Sequence, residues 1–175
     1  MPNPVIQSFP PIANTRATRL ILGSMPGVAS LAAGQYYAHR FNAFWPIMGD
    51  LLGFAPDAPY SERVCALELA RIAVWDVLQC CELHGRLDSA ILRDSEVAND
   101  FAAFFAQHPL ITEVFFNGGA AYACYARHVG AIVGRGVRFD LKLTRLPSTS
   151  PAYAAMRYEQ KRDAWRQILS SAASG

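Results

Sequence analysis

Four stretches of the chain are apolar at consecutive positions rather than alternate ones: 18–23 (TRLILG), 72–78 (IAVWDVL), 111–117 (ITEVFFN) and, in looser alternation, 137–146. Short apolar runs of this kind, rich in β-branched and aromatic residues, are the pattern of strands buried on both faces. Helix-like stretches lie between and after them, at 44–52, 61–71, 99–107, 119–129 and 151–169. The alternation predicts a three-layer α/β/α sandwich with a four-stranded, mainly parallel central sheet. Such sheets bind ligands beyond the carboxyl ends of their strands. The segments expected there are GSMPG (23–27), QCCE (79–82), NGG (117–119) and PSTSP (147–151).

The length of 175 residues suits one domain spanning 1–175, and 52% hydrophobic against 17% charged residues excludes a disordered chain. The apolar runs fall well short of the ~20 residues of a membrane-spanning helix, so no membrane partner is expected. Residues 1–11 hold no basic residue and no continuous apolar core, which argues against a secretory signal and for a cytoplasmic protein. The four cysteines (Cys65, Cys80, Cys81, Cys124) form no CxxC pair, so neither a disulfide framework nor a metal is expected. Net charge is only +2 but unevenly placed: from 138 to 166 stand Arg138, Lys142, Arg145, Arg157, Lys161, Arg162 and Arg166 against Asp140, Glu159 and Asp163. On charge alone, a solvated helix face outweighs a phosphate-binding patch.

Three segments could carry chemistry. Gly23, Ser24, Met25, Pro26 and Gly27 make a rigid turn whose backbone can approach a ligand closely, although it is neither a phosphate-binding nor a dinucleotide fingerprint. Residues 35–45 (QYYAHRFNAFW) combine aromatics with His39 and Asn42. A helix N-cap is the plain reading of Asn42, but it would put Pro46 at the fourth helical position, where an N–H is first needed. A helix beginning nearer Trp45 would free the Asn42 amide. For His39 the plain reading is a hydrogen-bonded structural histidine, and for Asn117, which precedes two glycines, a turn former. Ser150 before Pro151 reads as N-cap and first helical residue. That leaves Ser148 and Thr149 for an anion at the helix N-terminus.

The order and spacing of GSMPG, QYYAHRFNAFWPIMG, AVWDVL, FFNGGAAY and LPSTSPA together resemble the uracil-DNA glycosylase superfamily over about 18–169. Within it the chain looks most like the hypoxanthine (deoxyinosine) DNA glycosylase branch, with the mismatch-specific thymine/uracil glycosylases as close relatives. The resemblance implies a monofunctional, monomeric base-excision enzyme that acts on DNA with a damaged or mismatched base and needs no cofactor. Gly23 to Gly27 match the loop lining the base pocket. Met25 stands where the mismatch-specific branch has a catalytic Asn, and Asn42 matches the Asn that the hypoxanthine branch is thought to use instead. Tyr37 matches the aromatic that stacks on the flipped base, and His39 and Asn117 fall within the pocket segments. Ser148, Thr149, Ser150 and Pro151 match the segment gripping the DNA backbone. From the basic stretch, Arg145, Lys161 and Arg162 are candidate phosphate contacts. Arg40 and Phe41 depart from the pattern, in which a proline follows the histidine.

Asp76, Gln79 and Asn117, at strand ends, are candidates to read the base edge. Two other classes compete with the enzyme: a damaged-DNA or nucleotide-binding module, which would not need a water-positioning amide at Asn42, and a small hydrolase using Ser24, His39 and Asp76. The hydrolase lacks the GxSxG elbow that exposes a serine nucleophile.

Overall fold

The computed structural model describes residues 2–85, 90–130 and 140–170. In chain order, β1 (Val5–Gln7) and β2 (Arg19–Gly23) lead to α1 (Val28–Ala33), α2 (Phe44–Leu52) and α3 (Tyr60–Leu69). Next come β3 (Ile72–Asp76), β4 (Leu78–Leu83), β5 (Ile91–Ala98), α4 (Phe101–Gln107), β6 (Glu113–Asn117) and α5 (Gly119–His128). The chain continues with β7 (Lys142–Leu146), α6 (Tyr158–Trp165) and α7 (Gln167–Ser170).

The four expected strands form one sheet in the order β3-β2-β6-β7, parallel at every step. β2, β3 and β6 contribute buried apolar side chains to both faces, whereas β7 buries only Leu146. Leu20, Leu22, Trp75, Val114 and Phe116 pack with Phe101, Phe104 and Tyr125 of α4 and α5. On the opposite face, Ile21, Val74 and Phe115 pack with Phe44 and Met48 of α2, Leu67 of α3 and Trp165 of α6. These are the three layers. Pairing also sets the register, because Gly23 lies opposite Asp76 and Asn117 opposite Leu146. The strands therefore end level, and the loops beyond them share one edge.

The first part of the expected fourth strand, 137–139, lies outside the described residues, as does Arg138. Two expectations need correction. Residues 79–82 do not sit at the strand ends: they belong to β4, which joins β1 and β5 in a second, antiparallel sheet with two register shifts between β4 and β5. Gln79 is thus an exposed strand residue, its carbonyl accepting from the Ser8 N–H. Second, no helix starts at Pro151. Ser150 Oγ accepts the Ala152 N–H in a local turn, and the helix begins at Tyr158, where the Arg157 N–H donates to the Gln160 side chain. The helix expected at 44–52 is found there as α2, so Pro46 is its third residue and its missing N–H has no intrahelical acceptor to lose.

Candidate functional site

A cleft of about 530 Å³ opens at the carboxyl edge of the parallel sheet. Its walls are residues 23–30, the aromatic loop at Tyr36, Tyr37, His39 and Asn42, the strand ends Asp76 and Asn117, and residues 148–151. All the pocket residues expected from sequence line it, together with the four expected DNA-contact residues 148–151. Arg145 does not: its guanidinium lies 5.0 Å from the centre of the Tyr122 ring on α5. Among the described residues no lysine or arginine lines the cleft.

The floor is built by close approach. The Gly23 and Ser24 carbonyls accept the N–H groups of Val77 and Leu78, fastening the loop after β2 to the end of β3. A Cβ on Gly23 would meet Asp76 Oδ1 at 2.6 Å and the Tyr37 hydroxyl at 3.2 Å. Asp76 is 3% exposed, and its Oδ2 has no hydrogen-bond partner. Burial pushes its carboxyl up to about 7. Asn99 holds the backbone from below, its Nδ2 donating to the Asp76 carbonyl at 2.8 Å. The Tyr37 hydroxyl is likewise buried, and burial, reinforced by Asp76 and partly offset by the neighbouring Asn117 side chain, raises it well above the usual phenol range.

Tyr37 forms the flat wall. Its ring stacks on Phe44 at 4.1 Å between centroids, and its backbone adopts φ 54°, the left-handed region that a tyrosine occupies at a cost of about 1–3 kcal/mol. Neighbouring contacts hold that geometry in place. Tyr36 is anchored through its hydroxyl to the Pro10 carbonyl, through its N–H to the Tyr60 hydroxyl, and through its carbonyl to the Trp45 indole N–H. Asn42 Oδ1 accepts the Phe44 N–H at 2.9 Å. The amide that the sequence left free is thus partly engaged at the helix start, and this bond fixes which end is oxygen. His39 Nδ1 accepts the Phe41 N–H at 3.1 Å. No hydrogen bond joins Ser24, His39 and Asp76, so the hydrolase triad does not assemble.

The opposite wall is latched across the sheet. Asn117 donates from Nδ2 to Thr149 Oγ1 and accepts the Thr149 N–H at Oδ1, both at 2.9 Å, while the Thr149 carbonyl accepts the Ala43 N–H. Thr149 is 1% exposed, which takes its hydroxyl out of the anion-binding set. Ser148 Oγ accepts the Ser150 N–H, and the hydroxyl hydrogens of Ser148 and Ser150 remain to be donated. Gly118, at φ 94°, lies so close that a Cβ there would meet Ser148 Cβ at 2.9 Å. From α6, Lys161 Nζ donates to the Ser150 carbonyl and the Trp165 indole to the Pro147 carbonyl. Lys161 is only 6% exposed. Arg162 pairs with Asp50 and Asp163, Arg166 with Asp163, and Lys142 with Glu113. The basic stretch is therefore largely a salt-bridged face and a loop support.

Away from the cleft, ligand atoms of Glu96, Cys124 and His128 lie within 4.8 Å of one another. Glu96 is already paired with Arg127 at 2.9 Å and His128 at 2.6 Å, which accounts for the cluster as an ion-paired group. Among the described residues no helix is long and apolar enough to cross a membrane.

Known proteins resemble this chain. A hypoxanthine DNA glycosylase of Methanosarcina acetivorans is 31% identical over 167 residues, 93% of this chain and 97% of its own. One from Methanosarcina barkeri is 36% identical over 113 residues, 64% of this chain and 70% of its own. A solution NMR structure of a candidate uracil DNA glycosylase from Methanosarcina acetivorans superposes with a TM-score of 0.72 at 27% identity, covering 94% of this chain and 99% of the other. The uracil DNA glycosylase superfamily matches residues 10–171, a span that holds the parallel sheet and every wall of the cleft. The chain belongs to the uracil DNA glycosylase superfamily and is a DNA glycosylase.

Proposed function

We propose that this chain excises deaminated bases from DNA, hypoxanthine first and uracil second, by hydrolysing the N-glycosidic bond of a flipped-out nucleotide with a water held by Asn42. A base inside a duplex must leave the stack to be reached, at a cost of a few kcal/mol that is least where pairing is already damaged. Stacking on the Tyr37 ring, itself backed by Phe44, returns about 1–3 kcal/mol. The hydroxyls of Ser148 and Ser150 donate to the DNA backbone at the rim, from a loop rather than from a helix N-terminus. As the bond breaks, positive charge grows on the sugar and negative charge on the base, which backbone N–H groups of loop 23–27, lining the cleft, would stabilise.

The observation that carries this reading is Asn42, which lines the cleft with its amide oriented by the Phe44 N–H. One Oδ1 lone pair and the amino group are left to hold a water, and a neutral amide acts by positioning rather than as a base. The likeness to hypoxanthine DNA glycosylases supports the choice of base.

Asn42 touches both the helix start and the cleft, so two variants separate its roles. Asn42→Ser keeps an oxygen for the Phe44 N–H, whereas Asn42→Ala removes it. Single-turnover release from deoxyinosine oligonucleotides should fall on the order of 10²-fold in both, while only the alanine variant loses about 1 kcal/mol of stability. Full activity in Asn42→Ser would return the residue to capping. Binding without release from deoxyinosine, uracil, xanthine or ethenocytosine DNA would leave a binding module.

A further inference from the structure

Among the described residues lining the cleft, Asp76 is the one carboxyl. Its Oδ2 is buried without a partner, and its Oδ1 lies against Gly23 at the same point where the Tyr37 hydroxyl arrives. Among the described residues, no lysine or arginine lines the cleft to balance a carboxylate. A group so placed either destabilises the protein for nothing or meets its partner when a base enters. A carboxylate would repel a base leaving with its electron pair. A neutral carboxylic acid would instead offer it a proton.

We propose that Asp76 is a catalytic acid, which transfers its proton to N7 of the departing purine as the C1′–N9 bond breaks. This rests on the glycosylase reading above. The electrons of the C1′–N9 bond pass to the base, which leaves as neutral hypoxanthine protonated at N7. The water held by Asn42 then bonds to C1′, and the proton it releases restores the Asp76 acid. No other reactant is needed. Desolvation sets the acid close to neutrality, where a general acid works best. The titratable groups around it are Tyr36, Tyr37 and His39 of the aromatic loop and Cys124 of α5, and burial holds both tyrosines and Cys124 in their uncharged forms at neutral pH. The geometry thus favours purines, because pyrimidines have no ring nitrogen equivalent to N7.

The test is single-turnover release of hypoxanthine from a deoxyinosine oligonucleotide across roughly pH 5 to 9, by wild type and by Asp76→Asn. Wild type should slow above about pH 7. Asp76→Asn should be slower by about 10²- to 10⁴-fold and lose that alkaline decline. An oligonucleotide carrying 7-deaza-deoxyinosine, which has no N7, needs no variant: on it the wild-type decline should vanish. A wild-type rate in Asp76→Asn, or an alkaline decline that persists on the 7-deaza substrate, would overturn the proposal while leaving the glycosylase reading intact. A wild type that releases no base at any pH overturns both.

Discussion

At Gly23 the cleft has no room for a single methyl group. An alanine there would drive its Cβ into Asp76 Oδ1 and crowd the Tyr37 hydroxyl, displacing two site groups while the sheet around them stays packed. Gly23→Ala should therefore lose at least about tenfold in single-turnover excision while its far-UV spectrum is unchanged, and wild-type turnover would refute the close approach. Asp76 makes a second prediction, in stability. Its folded acid titrates near 7, against about 3.9 in an unfolded chain. The stability that the neutral acid carries is complete below about pH 4 and is lost as pH rises through 7, a total on the order of 4 kcal/mol. Asparagine has no such proton to lose. The stability of Asp76→Asn relative to wild type should grow from pH 4 to 7 and then level off, as urea unfolding at either end would show. Equal differences at both ends would contradict the buried carboxyl. The sequence named Asp76 by its place at a strand end but not its burial, which depends on Gly23 and on the Tyr37 ring arriving from another element.

Helix starts show how far local signals reach. Phe44 begins α2 much where the apolar spacing puts it, because Asn42 supplies the first acceptor and Pro46 falls where no N–H is required. Ser150-Pro151 carries an equally good start signal and fails, since Lys161 and Trp165 tie the 147–151 loop from α6 and hold it against the cleft. A tertiary contact overrides the dipeptide there. The ribbon of β4 and β5 escaped notice for a related reason: LQCCEL and ILRDSEVA mix polar and apolar positions without steady alternation, and their pairing shifts register twice. The same contacts redistribute the basic residues. Lys161→Met should leave the salt dependence of DNA binding unchanged while slowing excision through the Ser150 loop. Arg145→Ala, which removes an exposed guanidinium beside α5, should make the salt slope shallower by about one unit. Binding titrations at several salt concentrations would check both, and a shallower slope for Lys161→Met would put that lysine on a phosphate.

Across the whole molecule the cleft is made by residues far apart in the chain, brought level by the register of one parallel sheet. That much was legible, because four apolar runs separated by helices leave few other ways to pack. The fastening of one wall to the other was not, since it depends on Asn117 meeting Thr149 across 32 positions of sequence. Thr149 is held on both sides, its N–H by Asn117 at the end of β6 and its carbonyl by the residue preceding α2. Widening the cleft would break these bonds and leave buried amides unsatisfied, at about 1–3 kcal/mol each. The mouth should thus stand ready before DNA arrives, and the nucleotide should adapt to it rather than the reverse. In deuterated solvent, the amide hydrogens of Thr149 and Ala43 should then exchange as slowly as those of β2, in step with global unfolding, and adding an abasic oligonucleotide should protect them little further.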